Sequence, residues 1–183
     1  MGEAAPQARM TVEEFLRWDG EPDVRYELID GIPVAMNPPW SFHRTIVGNI
    51  AGDIRERLRR RRPCRVEAEA GIWISDDDYW VADLAVTCSP PRDSEQVEDP
   101  SLIIEVLSKS TRGGDLGRKV PDFQDISSVQ EIWEVDSERR RVWVYRRESD
   151  HWRIDRYVGS ATFGSAVVEG SFSLDDIYEN TDL

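Results

Sequence analysis

The chain has only two cysteines among its 183 residues, Cys64 and Cys88, and no apolar run near the roughly 18 residues of a spanning helix. The two share no metal-ligand spacing, which argues against a thiolate metal site, and they are too few for a disulfide scaffold. The first ten residues, MGEAAPQARM, lack the apolar stretch of a secretion signal, and Pro6 stands where a myristoylation signal wants Ser or Thr. The chain therefore reads as cytoplasmic, with no membrane partner. Positive charge is scarce as well: 23 Lys and Arg against 36 Asp and Glu leave a net charge of -13. A body so acidic repels polyanions, which argues against indiscriminate coating of phosphate backbones. It does not argue against binding divalent cations.

What is present is enough for one packed domain. An apolar fraction of 39% with seven Trp suits a soluble globular chain, which at this length buries roughly 70% of its unfolded surface. Residues 1–10 read as a frayed arm rich in Ala, Pro and Gly. Thr11 and Glu14 form a T-x-x-E capping box that opens a short helix. Tyr26 to Ile29 and Ile32 to Met36 flank Asp30-Gly31, the turn chemistry of a hairpin. From Phe42 to about Arg61, Ile46, Val47, Ile50, Ile54 and Leu58 recur every three or four residues, which predicts an amphipathic helix of about five turns. Strands follow at Val66 to Ile74, Val81 to Cys88 and Ser101 to Leu107. The last is a nearly continuous apolar run, the pattern of a strand covered on both faces. A helix from Asp115 to Gln124 must accommodate Pro121. Strands at Glu131 to Val135, Val142 to Arg147 and Trp152 to Val158, then a Ser173-capped turn, complete the chain. No repeat or long linker divides it. The order predicts a single α/β domain with a mixed central β-sheet flanked by helices.

Two acids stand out. Asp83 in VADLAVTC and Glu105 in LIIEVL lie inside apolar strands, where a carboxylate has no packing reason to be. An ionised carboxylate there must be paired, protonated or metal-bound, because desolvating it alone costs several kcal/mol. One reading pairs each acid with an arginine in a buried network. Another places both on Mg²⁺, which is held by one or two carboxylates plus phosphate oxygens. Beyond Glu105 the chain runs IEVLSKSTRGGDLGRK, with Lys119 four residues after Asp115 on the same predicted helical face.

These blocks carry a resemblance. YELIDG at Tyr26 to Gly31, VADLAV, IEVLSKST, DLGRK and EIWEVD at Glu131 to Asp136 look like the Uma family of bacterial restriction-endonuclease-like proteins, in the PD-(D/E)xK nuclease superfamily. The resemblance runs from about Thr11 to Ile177. It implies a restriction-endonuclease-like domain over residues 11–183, acting as a metal-dependent endonuclease on phosphodiester bonds, with DNA the expected substrate and Mg²⁺ or Mn²⁺ the cofactor. It implies metal binding by Asp83, Glu105 and the carbonyl of Val106. The superfamily's usual lysine position holds Leu107, and Lys119 is similar to the migrated lysine of this branch. Glu27 and His43 resemble accessory catalytic positions. Two departures accompany the match: Ala82 replaces the proline before the first aspartate, and Pro121 could re-aim Lys119. They favour the rival reading, a non-catalytic binding or oligomerisation module on the same fold. A hydrolase of small phosphoesters is a third reading, suited to the acidic body.

The bases are unevenly spread. Seven arginines and one acid between Arg55 and Arg65 make a segment of +6, leaving -19 on the remainder. Arg59, Arg60, Arg61 and Arg62 are therefore candidate nucleic-acid contacts, although arginines at a helix C-terminus also complement its dipole. Trp40, beside Pro38-Pro39, is a candidate for base stacking or a partner contact. Five other Trp fall in or beside strands, as core or interface residues. Exposed sheet edges carrying Trp predict a homodimer.

Overall fold

The computed structural model describes residues 9–107 and 116–183. Thr11 caps α1 (Val12–Phe15), and the reciprocal Thr11–Glu14 capping box is formed. The hairpin β1 (Tyr26–Ile29) and β2 (Ile32–Ala35) turns at Asp30 and Gly31, with φ of 50° and 75°. Both angles are left-handed, as the tight Asp-Gly hairpin turn requires. The long helix α2 (Ser41–Leu58) buries Ile46, Ile50, Ile54 and Leu58 along one stripe.

The strands β3 (Arg65–Trp73), β4 (Tyr79–Thr87), β5 (Pro100–Leu107), β6 (Glu131–Asp136), β7 (Arg141–Arg147) and β8 (Trp152–Val158) join the hairpin in one eight-stranded sheet. The sheet runs β2-β1-β4-β5-β6-β7-β8, with β3 also on β4. Among the described residues, β5 and β6 are the one parallel pair. Between them in sequence comes α3 (Leu116–Asp125), since a parallel pair needs a crossover. One face of the sheet packs on α2 through Leu84, Leu102, Ile104 and Trp133. The other packs on α3 through Ile103, Ile132, Val120 and Phe123. β5 is thus covered on both sides, as its continuous apolar run predicts.

Three features differ from the sequence reading. A second, two-stranded sheet of β9 (Thr162–Gly164) and β10 (Ser171–Ser173) packs Phe163 and Phe172 against Trp133. Its strands are too short for a periodic signal. Cys64 and Cys88 form a disulfide. They flank the pair Arg65↔Thr87, so strand register rather than sequence spacing brings them together. The helix carrying Lys119 continues through Pro121 despite an interior-proline cost of about 3 kcal/mol. Buried Val120 and Phe123, and a 2.7 Å hydrogen bond from Trp80 Nε1 to Asp122, offset that cost.

Trp80 and Trp133 are fully buried. After α4 (Leu174–Ile177), capped by Ser173, the chain ends against α2, with Asn49 donating to the carbonyls of Ile177 and Glu179. β8 is a sheet edge with Ile154 and Val158 exposed. No helix among the described residues is long and apolar enough to cross a membrane. Residues 1–8 of the expected arm, and Ser108 to Asp115 of the IEVLSKST–DLGRK stretch, lie outside the described residues.

Candidate active site

The site forms where the sheet parts. β4 and β5 pair from Thr87↔Pro100 to Leu84↔Ile104, and the same register continued would set Asp83 opposite Glu105. There a side chain replaces the main-chain ladder: Asp83 Oδ2 accepts the Val106 N–H at 2.7 Å. A similar substitution occurs between β1 and β4, which pair only at Leu28↔Tyr79. Glu27 Oε1 accepts the Val81 N–H at 3.0 Å. Interior N–H groups need acceptors, and carboxylates are strong ones, so both acids are anchored at gaps in the sheet.

Lys119 reaches these acids from α3. Its Nζ lies 2.7 Å from Glu27 Oε1 and 3.4 Å from Glu105 Oε1, and it donates to the Val81 carbonyl at 3.4 Å. Trp80 backs the ammonium, its ring centroid 5.4 Å away. Burial opposes the charge on Lys119, but Glu105 and Glu27 outweigh it and hold the ammonium above the usual lysine range. Burial pushes the Glu105 carboxyl well above the usual carboxylate range; Lys119 opposes that shift, and Asp83 and Glu27 reinforce it. Pro121 therefore does not turn Lys119 away from the acids.

His43, in the first turn of α2, places Nε2 3.2 Å from Asp83 Oδ1. Its Nδ1 is buried with no hydrogen-bond partner among the described residues. Glu27, His43, Asp83, Glu105, Val106 and Lys119 all line one cavity of about 410 Å³. Five stretches distant in sequence thus converge on a single site. Arg59 to Arg62 do not join them. They follow the C-terminal end of α2, at least 16 residues from His43, or about 24 Å along a helix axis. Arg59 pairs with Glu56, and Arg61 donates to the Val167 carbonyl.

Other residues at the site carried no sequence signal. Arg25 and Arg44 line the cavity, as does Glu69. Glu69 falls opposite Asp83 in the β3–β4 register, at a point where the pairing lapses, and has a left-handed φ of 53°. Such strain costs on the order of 1–3 kcal/mol and gathers at functional sites. Glu69 pairs with Arg25. Nothing in the run EAEAG marks the position.

Among the described residues no three His, Cys, Asp or Glu side chains form a ready metal cage. Asp83, Glu105 and a main-chain carbonyl are nevertheless all hard oxygen donors, and Mg²⁺ needs only one or two carboxylates besides water and substrate oxygens. Glu27, Asp83 and Glu105 outnumber Lys119 in a largely buried site. A divalent cation matches that surplus of acids, so the residues fit the ion.

The chain is similar to two uncharacterised proteins of Synechocystis sp. One is 28% identical over 96% of this chain and 94% of the relative, and the other 26% identical over 89% and 93%. A crystal structure described as a putative nuclease belonging to DUF820, from Anabaena variabilis, superposes with a TM-score of 0.76 at 19% identity, covering 92% of this chain and 97% of that one. The Uma2 family model, described as "Putative restriction endonuclease", matches residues 12–175. With most of its length matched and its acids gathered at the fork of the sheet, the chain belongs to the Uma2 family.

Proposed function

We propose that this chain is a divalent-metal-dependent nuclease that hydrolyses phosphodiester bonds, with DNA as its substrate. The observation that carries this reading is the convergence of Glu27, Asp83, Glu105 and Lys119 on one cavity. Asp83, Glu105 and the Val106 carbonyl would hold Mg²⁺ or Mn²⁺, which supplies a water of lowered pKa and charge neutralisation at the phosphate.

The chain's own groups supply the rest. Lys119, fixed by Glu27, presents a preorganised positive charge to the phosphate oxygens, a contribution of about 10²–10³ in rate for one such donor. Glu27 acts through Lys119 and is a positioning residue. His43 holds Asp83 Oδ1 and orients that carboxylate. In the reaction the water oxygen bonds to phosphorus and one bridging P–O bond breaks. The proton lost by the water is balanced by the one gained by the leaving alkoxide. Arg59 to Arg62, about 24 Å along the axis of α2 from His43, would contact phosphates several nucleotides from the cleaved one, so replacing all four with Ala would weaken binding and flatten its salt dependence.

A second reading, a non-catalytic module on the same fold, is favoured by one observation: Lys119 already pairs with Glu27, and Asp83 with His43 and Val106. Calorimetry with Mg²⁺ and Mn²⁺ separates the two, since the nuclease reading requires binding that Asp83→Ala abolishes. Cleavage of mixed DNA substrates by wild type, Asp83→Ala and Lys119→Ala completes the test. Activity surviving Asp83→Ala would overturn the nuclease assignment.

A further inference from the structure

The depth of the cavity bears on which form of DNA can reach its floor. Glu27, Glu105 and Lys119 are each only 6–7% exposed, so a scissile phosphate must enter the cavity to meet them. In a duplex the phosphates are fixed on a stiff rod with a persistence length of about 50 nm, and bending or kinking it to lower one phosphate into a recess costs on the order of 1–6 kcal/mol. An unpaired strand can feed in one nucleotide, and 410 Å³ is within the size range of small-ligand pockets.

The rim fits a nucleotide chemically. Val34, Met36, Pro38 and Pro39 form an apolar wall, and Arg44 stands on the α2 side. The Arg44 guanidinium donates to the Pro39 carbonyl and has no carboxylate partner among the described residues, so its charge is free to meet a phosphate. Trp40 lies between Pro39 and the start of α2 and is 76% exposed, whereas Trp18, the next most exposed tryptophan, is 38% exposed. An exposed aromatic side chain next in sequence to the cavity-lining Pro39, together with an apolar wall and a guanidinium that has no carboxylate partner among the described residues, is a combination that can hold single strands by stacking and charge. The acidic body points the same way, because one strand carries about half the charge per length of a duplex and is repelled less.

We infer that the site takes single-stranded DNA, with one nucleotide in the cavity, Arg44 on its phosphate and Trp40 stacked on a neighbouring base at the rim. The inference rests on the nuclease reading for its substrate class but is tested by binding alone. Fluorescence anisotropy would compare a labelled oligothymidine with a labelled closed hairpin duplex, using full-length Asp83→Asn protein in Mg²⁺ so that turnover does not intrude. The single strand should bind at least about tenfold more tightly than the duplex. Trp40→Ala should lose about 5- to 100-fold on the single strand and Trp40→Phe much less, as stacking predicts. Arg44→Ala should weaken binding and reduce its salt slope. Duplex binding as tight as single-strand binding, or no loss on Trp40→Ala, would overturn the inference. The binding pattern without metal-dependent cleavage by wild type would remove the nuclease reading and leave the strand site standing. Cleavage with a duplex preference would do the reverse.

Discussion

Two glutamates buried in the same sheet behave differently. Glu131, at the start of β6, is fully buried. Its Oε2 accepts hydrogen bonds from Ser165 Oγ at 2.6 Å and the Ala166 N–H at 2.8 Å, and Arg146 Nε lies 3.4 Å from Oε1. That acid is a latch, tying the segment between β9 and β10 to the sheet. Glu105, near the end of β5, shares one lysine with Glu27, lies near Asp83, and opens onto a cavity. A buried carboxylate is therefore not in itself a functional signal. What sets Glu105 apart from Glu131 is surplus acid beside accessible space.

The comparison can be broken experimentally. Asp83→Asn and Lys119→Ala should each lower metal-dependent cleavage at least about a hundredfold in single-turnover assays, while Glu131→Ala keeps full activity per folded molecule. The stability effects should run the opposite way. Glu131→Ala should cost about 3 kcal/mol in urea unfolding, because it leaves the Ala166 N–H and the Ser165 hydroxyl without their acceptor, while Arg146 keeps Asp155. Glu105→Gln should leave metal-free stability unchanged or raise it by about 1 kcal/mol, as for other sites that trade stability for function. A large stability loss there would make Glu105 a latch like Glu131.

The smallest effect concerns Glu134, which lies beside Glu105 in the β5–β6 register and hydrogen-bonds the Tyr145 hydroxyl. Burial raises its carboxyl above the usual range, and Tyr145 only partly opposes this. Its contribution to stability is full at acid pH and is lost as pH rises through its native value. Wild type should thus lose stability relative to Glu134→Gln across that rise. Identical pH profiles for the two proteins would show that Glu134 is unperturbed.

Much of this was legible in the chain itself. Asp83 and Glu105 announced themselves as charges within apolar strands, and the capping box, Asp-Gly turn and α2 periodicity each named their element. Lys119, Glu27 and His43 were reached by resemblance, since no local pattern distinguishes them from surface residues. Glu69 and Arg44 were not legible. Their positions depend on a lapse in pairing and on the segment leading into α2, where Arg44 donates to the Pro39 carbonyl. The disulfide was hidden for the same reason, because strand register is not written in cysteine spacing.

The sequence by itself determined the longer elements, the mixed sheet and the two acids that apolar strands could not explain. Those properties depend on local periodicity and on the cost of desolvating charge, both of which act within a few residues. Only the tertiary structure decided that β1, β4 and β5 part at one end of the sheet, and that α2 and α3 close over the gap from opposite faces. This parting leaves interior N–H groups for Glu27 and Asp83 to satisfy, and brings acids 78 positions apart, Glu27 and Glu105, to one lysine. Long-range pairing sets such distances, and no window along the chain contains them.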